Sequence, residues 1–222
     1  NGAGKTTALA AIMGLLRIKR GEINLLERGP FNPKVHGGRV SLLPQDAQLP
    51  GHARVGEILR FYGRLQGVDP SKLAHETDIW LDRVNLLDRS RDKIRSLSHG
   101  MRKRLAVAQA LLGEPEMVLL DEPLNGLDPV ETANLRGLLA GRSARQTLVI
   151  SSHLLSELEA TCDHIAIIEK GRTVRQAPIR EYRESETLIV YRVRTSNIPL
   201  EHLQAEVPDV QFEWTGDKPE FV

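Results

Sequence analysis

Short apolar runs alternate with helix-spaced apolar positions along much of the chain. The runs at 117–120 and 147–151 are largely apolar, which is typical of strands buried on both faces of a sheet. Around them, apolar residues recur every three or four positions, as in the segment that follows Ser98 and stops at Glu114-Pro115. Because strands alternate with amphipathic helices, we predict an α/β fold with a mostly parallel sheet.

Residues 55–95 interrupt this alternation. Their apolar positions recur only at helical spacing, and Asp69-Pro70 is a helix-start signal with a capping side chain before proline. We therefore predict an all-helical lobe inserted between a strand at 39–43 and the helix that follows Ser98.

The C-terminal part of the chain changes character. A strand at 164–169 and a hairpin partner at 173–176 complete the predicted sheet domain. Beyond it, two alternating segments flank a short helical one, which predicts the start of a small α+β unit. These segments are 187–195, 199–205 and 210–214. We divide the chain into an α/β domain over 1–184 and a partial α+β appendage over 185–222.

Composition and charge narrow the class of protein. With 41% hydrophobic and 27% charged residues, the chain has ordinary globular composition. Its formal net charge of +1 gives no overall field that would attract nucleic acid, so we expect no nucleic-acid partner. A single cysteine, Cys162, excludes an internal disulfide. No apolar run approaches the roughly 18–20 residues that cross a bilayer, so any role at a membrane would be that of a peripheral subunit.

The first seven residues, Asn-Gly-Ala-Gly-Lys-Thr-Thr, match the end of a phosphate-binding loop. Glycines there let backbone N–H groups converge on phosphate oxygens, and the following helix adds its positive dipole end. Lys5 would reach the β- and γ-phosphates, and the Thr6 hydroxyl would bind Mg²⁺. The alternative is a glycine-rich helix start with a solvated lysine.

Asp121 and Glu122 follow the buried run at 117–120. A carboxylate at the end of such a strand can face a phosphate loop, so Asp121 is a candidate ligand for the metal of a bound nucleotide. Glu122 would then orient or deprotonate the attacking water. The alternative is a pair of solvated carboxylates, or a cap on the turn before Pro123.

Residues 97–104 place Ser98 and Gly100 at a helix start. A helix N-terminus with a hydroxyl donor can bind a second anion. Taken alone, however, the segment favours a capped helix with a solvated basic face.

Together, these motifs resemble those of the ABC ATPase family over residues 1–176. Six motifs stand in the family's order: the Walker A loop at 2–7, the Q-loop glutamine Gln45, the signature at 98–104, Walker B at 118–122, the D-loop at 125–128 and the H-loop histidine His153. The resemblance implies a P-loop NTPase domain with the all-helical lobe inserted into its sheet.

The resemblance also implies a role for each motif. Two such domains face each other head to tail, and ATP lies between the Walker A loop of one and the signature helix of the other. Glu122, His153 and Gln45 would be catalytic. Thr6, Gln45 and Asp121 would bind Mg²⁺. The residues expected to contact ATP, within one subunit or across the dimer, are Asn1, Gly2, Ala3, Gly4, Lys5, Thr6, Thr7, Ser98, His99, Gly100 and Asp128.

As a member of this family, the chain would hydrolyse ATP as a peripheral subunit on the cytoplasmic face of the cell membrane. Its partners would be a second ABC ATPase subunit, identical or different, and an integral membrane permease. His99 replaces the usual signature glycine, and this Ser-His-Gly variant and the appendage are more similar to exporters than to importers. Asn125 replaces a small D-loop residue and can still form hydrogen bonds.

Two alternatives stay open. A soluble ABC ATPase of translation or DNA repair would use the same motifs, although the chain contains no long coiled-coil insertion and no second phosphate loop. A regulatory module would bind ATP without hydrolysing it.

The first glycine of a complete Walker A motif would precede Asn1 by two residues. We therefore expect this polypeptide to lack early strands of its domain, to bind ATP weakly alone and to expose apolar sheet edge.

Overall fold

The computed structural model describes residues 2–141 and 145–184, together with the backbone of 214–215 and 218–219. The helices are α1 (Lys5–Ile12), α2 (Pro33–His36), α3 (Val55–Leu65), α4 (Leu73–Arg83), α5 (His99–Leu111), α6 (Pro129–Ala140), α7 (Leu155–Glu159) and α8 (Ile179–Glu184). The strands are β1 (Val40–Leu43), β2 (Met117–Asp121), β3 (Thr147–Ser151), β4 (His164–Glu169), β5 (Arg172–Pro178), β6 (Trp214–Thr215) and β7 (Lys218–Pro219).

The chain divides into two compact units, Asn1–Ile179 and Arg180–Val222. In the second unit, β6 and β7 pair antiparallel. The predicted segments at 187–195 and 199–205 lie outside the described residues, as does most of the one at 210–214.

A parallel three-stranded sheet lies at the centre of the first unit, in the order β1-β2-β3. Leu43 of β1 pairs with Leu120 of β2, and Asp121 pairs with Ser151 of β3. Residues 118–120 in the middle strand are fully buried, which explains their continuous apolar run. This sheet, with helices between its strands, confirms the predicted α/β class.

The remaining strands of the first unit, β4 and β5, form the predicted antiparallel hairpin. The turn of this hairpin contacts the first loop of the chain, because the Gly171 N–H donates to the Ala3 carbonyl at 2.9 Å. Gly171 has a φ of 75°, a left-handed backbone that glycine adopts without a Cβ clash. The hairpin thus braces the segment that leads into α1.

The predicted helical lobe consists of α3 and α4, which pack against each other and against α5. On α3, Val55, Ile58 and Leu59 are buried at the three- and four-residue spacing of one helix face. Leu81 of α4 and Leu105 of α5 belong to the same apolar core as β2. The lobe is therefore joined to the central strand of the sheet through α5.

The second helix of the lobe begins later than predicted. We expected it to start at Pro70, whereas α4 begins at Leu73. The Asp69 carboxylate accepts from both the N–H and the hydroxyl of Ser71. This local hydrogen bonding forms a turn in place of the first helical turn.

The first helix is shorter than predicted. The apolar pattern after the glycine-rich segment predicts a helix through about Leu16, but α1 ends at Ile12. Gly14 has a left-handed backbone with a φ of 67°, which reverses the chain soon after the last helical residue.

Candidate active site

The start of α1 forms one wall of a polar pocket of about 500 Å³. Gly4 precedes the helix with a left-handed φ of 104°, and no side chain of the described residues caps the first N–H groups. Free N–H groups and the helix dipole make this position suited to an anion. The pocket is lined by Gly2, Ala3, Gly4, Lys5, Thr6, Thr7, Gln45, Glu122, Asn125 and His153.

Glu122 brings the charged groups of this pocket together. Its side chain is 6% exposed, and its Oε2 accepts a hydrogen bond from His153 Nδ1 at 2.9 Å. Its Oε1 lies 3.4 Å from Lys5 Nζ. Because an ionised carboxylate only accepts hydrogen bonds, His153 Nδ1 is the donor. One carboxylate thus connects the lysine of α1 with the histidine that follows β3.

The backbone at Glu122 is unusual. Glu122 follows the last residue of β2 and has a φ of 49°, in the left-handed region that non-glycine residues rarely adopt. Its N–H donates to the Ser151 carbonyl at 3.2 Å and to the Ser151 hydroxyl at 3.0 Å. The sequence prediction did not single out Ser151. The available signal was a hydroxyl at the end of a buried strand that could pair with the Asp-Glu strand.

Three side chains with oxygen atoms lie close to the C-terminal ends of β1 and β2. Gln45 follows β1 and Asp121 ends β2, and parallel strands bring such positions together. Thr6 and Gln45 line the pocket, and Asp121 is 1% exposed beside Glu122. Hydroxyl, amide and carboxylate oxygens suit Mg²⁺, which keeps several waters and binds beside substrate phosphates.

A resident metal cluster is a different matter. Within residues 2–141 and 145–184, no group of three or more His, Cys, Asp or Glu side chains could hold a metal ion.

The second predicted anion site lies at the start of α5, away from this pocket. The Ser98 hydroxyl caps α5 by accepting from the Met101 N–H at 3.1 Å, and Ser98 and His99 are exposed. Gly100 is buried, and the Glu131 carboxylate occupies the space that a Cβ on Gly100 would need. The helix start is therefore open to solvent at Ser98 and covered by the same chain at Gly100.

The D-loop packs beside the start of α5. Asp128 caps α6 by accepting from the Glu131 N–H at 2.8 Å. A Cβ on Gly126 would lie 3.3 Å from His99 Nε2, and Arg104 Nη2 lies 3.9 Å from Glu131 Oε1. The signature and the D-loop thus form one packed group through Glu131. In the sequence, Asp128-Pro129 is a helix-start signal and Glu131 is placed as in a capping box, which predicts only a local role for Glu131.

Lys103 is a further residue whose position the sequence did not indicate. It was interpreted as part of a solvated basic face of α5, but it is partly buried. Burial lowers the pKa of Lys103, while the carboxylates of Asp46, Glu122 and Asp121 oppose that shift. Lys103 therefore adds positive charge near the acidic edge of the sheet.

The predicted site residues fall into two groups. Residues 2–7, Gln45, Glu122 and His153 share the pocket, with Asp121 next to it. The other group, at the starts of α5 and α6, comprises Ser98, His99, Gly100 and Asp128. Asn1 lies outside the described residues.

A glycine-rich loop at a helix start, a lysine beside it and two acidic residues at the end of a buried strand define a P-loop nucleotide-binding domain. Comparison with known proteins gives the family. The profile of the family described as ABC transporter matches residues 1–125, more than half of the chain. The chain therefore belongs to the ABC transporter family of ATP-binding subunits, which are ATPases.

Individual relatives agree with this assignment. An uncharacterized ABC transporter ATP-binding protein of Bacillus subtilis (strain 168), YhaQ, is 33% identical over 186 residues, 83% of this chain and 62% of that protein. Nod factor export ATP-binding protein I of Cupriavidus metallidurans is 35% identical over 191 residues, 84% of this chain and 62% of that protein. The chain thus spans less than two thirds of the length of these relatives.

A solved structure shows the same fold. A chain described as the ATP binding subunit of an ABC transporter matches with a TM-score of 0.75 and 24% identity, over 94% of this chain and 85% of that chain.

In the part of the chain that the structure describes, none of the helices combines the length and hydrophobicity needed to cross a membrane.

Proposed function

We propose that this chain binds ATP with Mg²⁺ and hydrolyses it to drive transport across a membrane. The observation that best supports hydrolysis is the Glu122 carboxylate, which lies 3.4 Å from Lys5 Nζ and 2.9 Å from His153 Nδ1. A buried carboxylate held by a histidine can orient and deprotonate water, and a lysine can neutralise phosphate charge. Both groups belong to one polar pocket, as phosphoryl transfer to water requires.

The phosphates would bind at the start of α1. Its uncapped N–H groups and the Lys5 ammonium would contact the β- and γ-phosphate oxygens. Thr6 and Gln45 would hold Mg²⁺, with Asp121 beside them. When bound, that ion would neutralise charge on the same oxygens.

The water would be activated on the other side of the pocket. The Glu122 carboxylate would accept a proton from this water. That carboxylate is buried, and charged groups interact strongly where bulk water is excluded. His153 would keep the carboxylate oriented and would also reach the γ-phosphate. The exposed edge of His153 permits such a contact.

A second subunit would complete the site in a head-to-tail dimer. Ser98 and Gly100 stand at a helix start suited to an anion, yet neither is among the residues that line the pocket of this chain. The Ser98 hydroxyl accepts from the Met101 N–H and can still donate its own proton to a phosphate. We therefore place the signature helix on the γ-phosphate bound by the partner, with Asp128 at the same interface.

The membrane partner would be a permease, and this chain would bind its cytoplasmic side as a peripheral subunit. The family's description, ABC transporter, and the name of the Bacillus subtilis relative, an ABC transporter ATP-binding protein, support a transport role. Export is the proposed direction, since one relative at 35% identity is named a Nod factor export ATP-binding protein. The Ser-His-Gly signature at 98–100 supports the same direction. The permease would select the substrate.

Replacing Glu122 with glutamine tests the proposed hydrolysis. In the purified full-length protein, Glu122→Gln should lower the rate of ATP hydrolysis by about 100-fold or more, because the amide cannot take the proton of water. ATP binding should persist, since the phosphate-binding groups are unchanged. Steady-state phosphate release and equilibrium binding of a fluorescent ATP analogue measure the two effects.

The matched control is Glu114→Gln, the same substitution at an exposed residue outside the pocket. It should hydrolyse ATP at the wild-type rate. If Glu122→Gln also turned over ATP at the wild-type rate, the catalytic assignment would be wrong. Loss of ATP binding together with turnover would instead indicate a structural role for Glu122.

A further inference from the structure

A buried hydroxyl lies between the two acidic residues of the proposed site. Ser151 ends β3 directly opposite Asp121 of β2 and is 7% exposed. Its hydroxyl donates to Asp121 Oδ1 and accepts from the Glu122 N–H at 3.0 Å. This single side chain therefore connects the carboxylate of Asp121 with the backbone of Glu122.

The backbone of Glu122 needs this support. A left-handed φ of 49° is unfavourable for a non-glycine residue and persists only where the surroundings impose it. The described acceptors of the Glu122 N–H are the carbonyl and the hydroxyl of Ser151. Both acceptors come from one residue, so Ser151 is well placed to hold that conformation.

The conformation of Glu122 determines where its carboxylate lies. In the observed geometry, Oε1 is 3.4 Å from Lys5 Nζ and Oε2 is 2.9 Å from His153 Nδ1. A change of backbone at this residue would move the carboxylate away from both groups. Displacements of about 1 Å in a catalytic group are sufficient to lower rates markedly.

We infer that Ser151 is a positioning residue for ATP hydrolysis. Its hydroxyl forms hydrogen bonds with both the Asp121 carboxylate and the Glu122 amide, and these bonds fix the orientation of the Glu122 carboxylate. This inference rests on the proposed ATPase function. Ser151 itself does not contact the reacting atoms. Its hydrogen bond also leaves Oδ1 of Asp121 engaged, which orients that carboxylate at the edge of the sheet.

The test compares Ser151→Ala, Ser151→Thr, Glu122→Gln and the control Thr77→Val in the full-length protein. Thr77 is fully buried in the helical lobe, and its hydroxyl donates to the Leu73 carbonyl at 2.7 Å. Thr77→Val therefore removes a buried hydroxyl without changing the pocket. The readouts are kcat and KM for ATP, Tm, and amide hydrogen exchange in the peptide that contains Glu122.

Ser151→Ala should lower kcat by about 10- to 100-fold, the usual effect of losing a residue that orients a reacting group. KM for ATP should change by less than about 2-fold, because the phosphate-binding groups stay in place. Exchange at the Glu122 amide should accelerate. Ser151→Thr keeps the hydroxyl and should recover most of kcat and most of the protection from exchange.

Thr77→Val should lower Tm by an amount similar to Ser151→Ala and leave kcat unchanged. A wild-type kcat in Ser151→Ala would overturn the inference. So would a loss of kcat in Thr77→Val as large as that in Ser151→Ala, since stability alone would then explain it. Unchanged exchange at Glu122 in Ser151→Ala would also overturn it.

The two proposals can fail separately. If Glu122→Gln hydrolyses ATP normally, the proposed catalytic function is wrong, whatever the exchange data at Glu122 show. If Glu122→Gln is inactive while Ser151→Ala keeps its kcat, the function stands and the role of Ser151 is wrong.

Discussion

The chain contains two helix starts suited to anions, and they are built differently. The start of α1 carries no side-chain cap and faces the pocket with Lys5, next to Glu122 and His153. The start of α5 is capped by Ser98 and does not contribute to the lining of that pocket. The first therefore carries the groups that the proposed hydrolysis requires, whereas the second offers a donor without any of those partners.

The glycine at each of these two helix N-termini has a different structural role. Gly4, before α1, has a φ of 104°, so glycine is needed there for the backbone itself. Gly100, in the first turn of α5, is helical, and its missing side chain makes room for the Glu131 carboxylate. One glycine shapes a binding loop and the other permits close packing between two elements of the proposed dimer interface.

The largest losses of ATP turnover should come from substitutions at the N-terminus of α1 and at the N-terminus of α5. In the full-length protein, Lys5→Ala removes the phosphate-binding cation of α1, and Ser98→Arg places a bulky side chain at the start of α5. Each variant alone should lose ATP turnover by about 100-fold or more, because phosphoryl transfer depends on positioned charge. Lys34→Ala, a change at an exposed lysine of α2, is the control and should keep normal turnover.

Mixing the two variants then tests whether the starts belong to different subunits. In a head-to-tail homodimer, a Lys5→Ala chain and a Ser98→Arg chain together form one intact site. Random pairing of equal amounts should restore turnover to at most about a quarter of the wild-type value. No recovery after co-expression would contradict a head-to-tail dimer of identical subunits.

A smaller effect is expected at Gly100. Gly100→Ala should lower stability by about 1 kcal/mol or less, because the Glu131 carboxylate, the end of a flexible side chain, would have to move away from its Cβ into another rotamer. Adding Glu131→Ala should restore most of the Tm, which differential scanning fluorimetry can measure. If Gly100 instead serves only to admit phosphate, turnover would fall without a change in Tm, and Glu131→Ala would not rescue it.

The control for Gly100 is Gly137→Ala. Gly137 lies within α6, and among the described residues no atom beyond its own stretch of helix lies within 4 Å of the position that its Cβ would occupy. This substitution should stabilise the protein by up to about 1 kcal/mol through helix propensity. A loss of stability at both glycines would mean that the contact with Glu131 is not the cause.

The features that were predictable from the sequence are encoded locally. The run at 117–120 is apolar because residues 118–120 are buried in the central strand, so its pattern identifies the strand directly. Ser98 and Asp128-Pro129 are both helix-start signals in the sequence, and Ser98 and Asp128 cap α5 and α6. Residues 2–7 were predicted from the phosphate-loop pattern itself, whereas Gln45, which also lines the pocket, was predicted only through the resemblance to the ABC ATPase family.

The features that were not predictable depend on packing between distant residues. Ser151 is 30 positions from Asp121, and only the register of β2 and β3 places its hydroxyl against that carboxylate. Glu131 lies against Gly100 because the fold brings the first turns of α5 and α6 close together, whereas its sequence context indicates a local capping role. The late start of α4 is a local feature, but the competition between a turn and a helix at Asp69 is too close to settle from residue preferences.

The smallest effect is expected at the N-terminal ends of β1 and β2. A substitution there should leave the N-termini of α1 and α5 intact. Arg39 and Glu116 precede β1 and β2 and form a bidentate pair at 2.5 and 2.7 Å. The hydrogen bond from Arg39 lowers the pKa of the Glu116 carboxyl below its ordinary value. The pair therefore stabilises the folded chain at pH values above the ordinary glutamate pKa of about 4.3. This contribution to stability disappears as the pH falls through the lowered pKa of Glu116.

Glu116→Gln should accordingly lower Tm slightly at pH 7, and the difference from wild type should shrink as the pH falls below about 4. Thermal unfolding from pH 3 to 7 measures the difference, with ATP turnover at pH 7 expected to be unchanged. Arg39→Gln removes the same pair, so the double variant should lose no more stability than either single variant. Additive losses, or a difference that does not vary with pH, would show that this pair does not act as a unit. Reduced turnover would show that the two ends of the sheet are coupled, and the helix starts could then no longer be compared as independent sites.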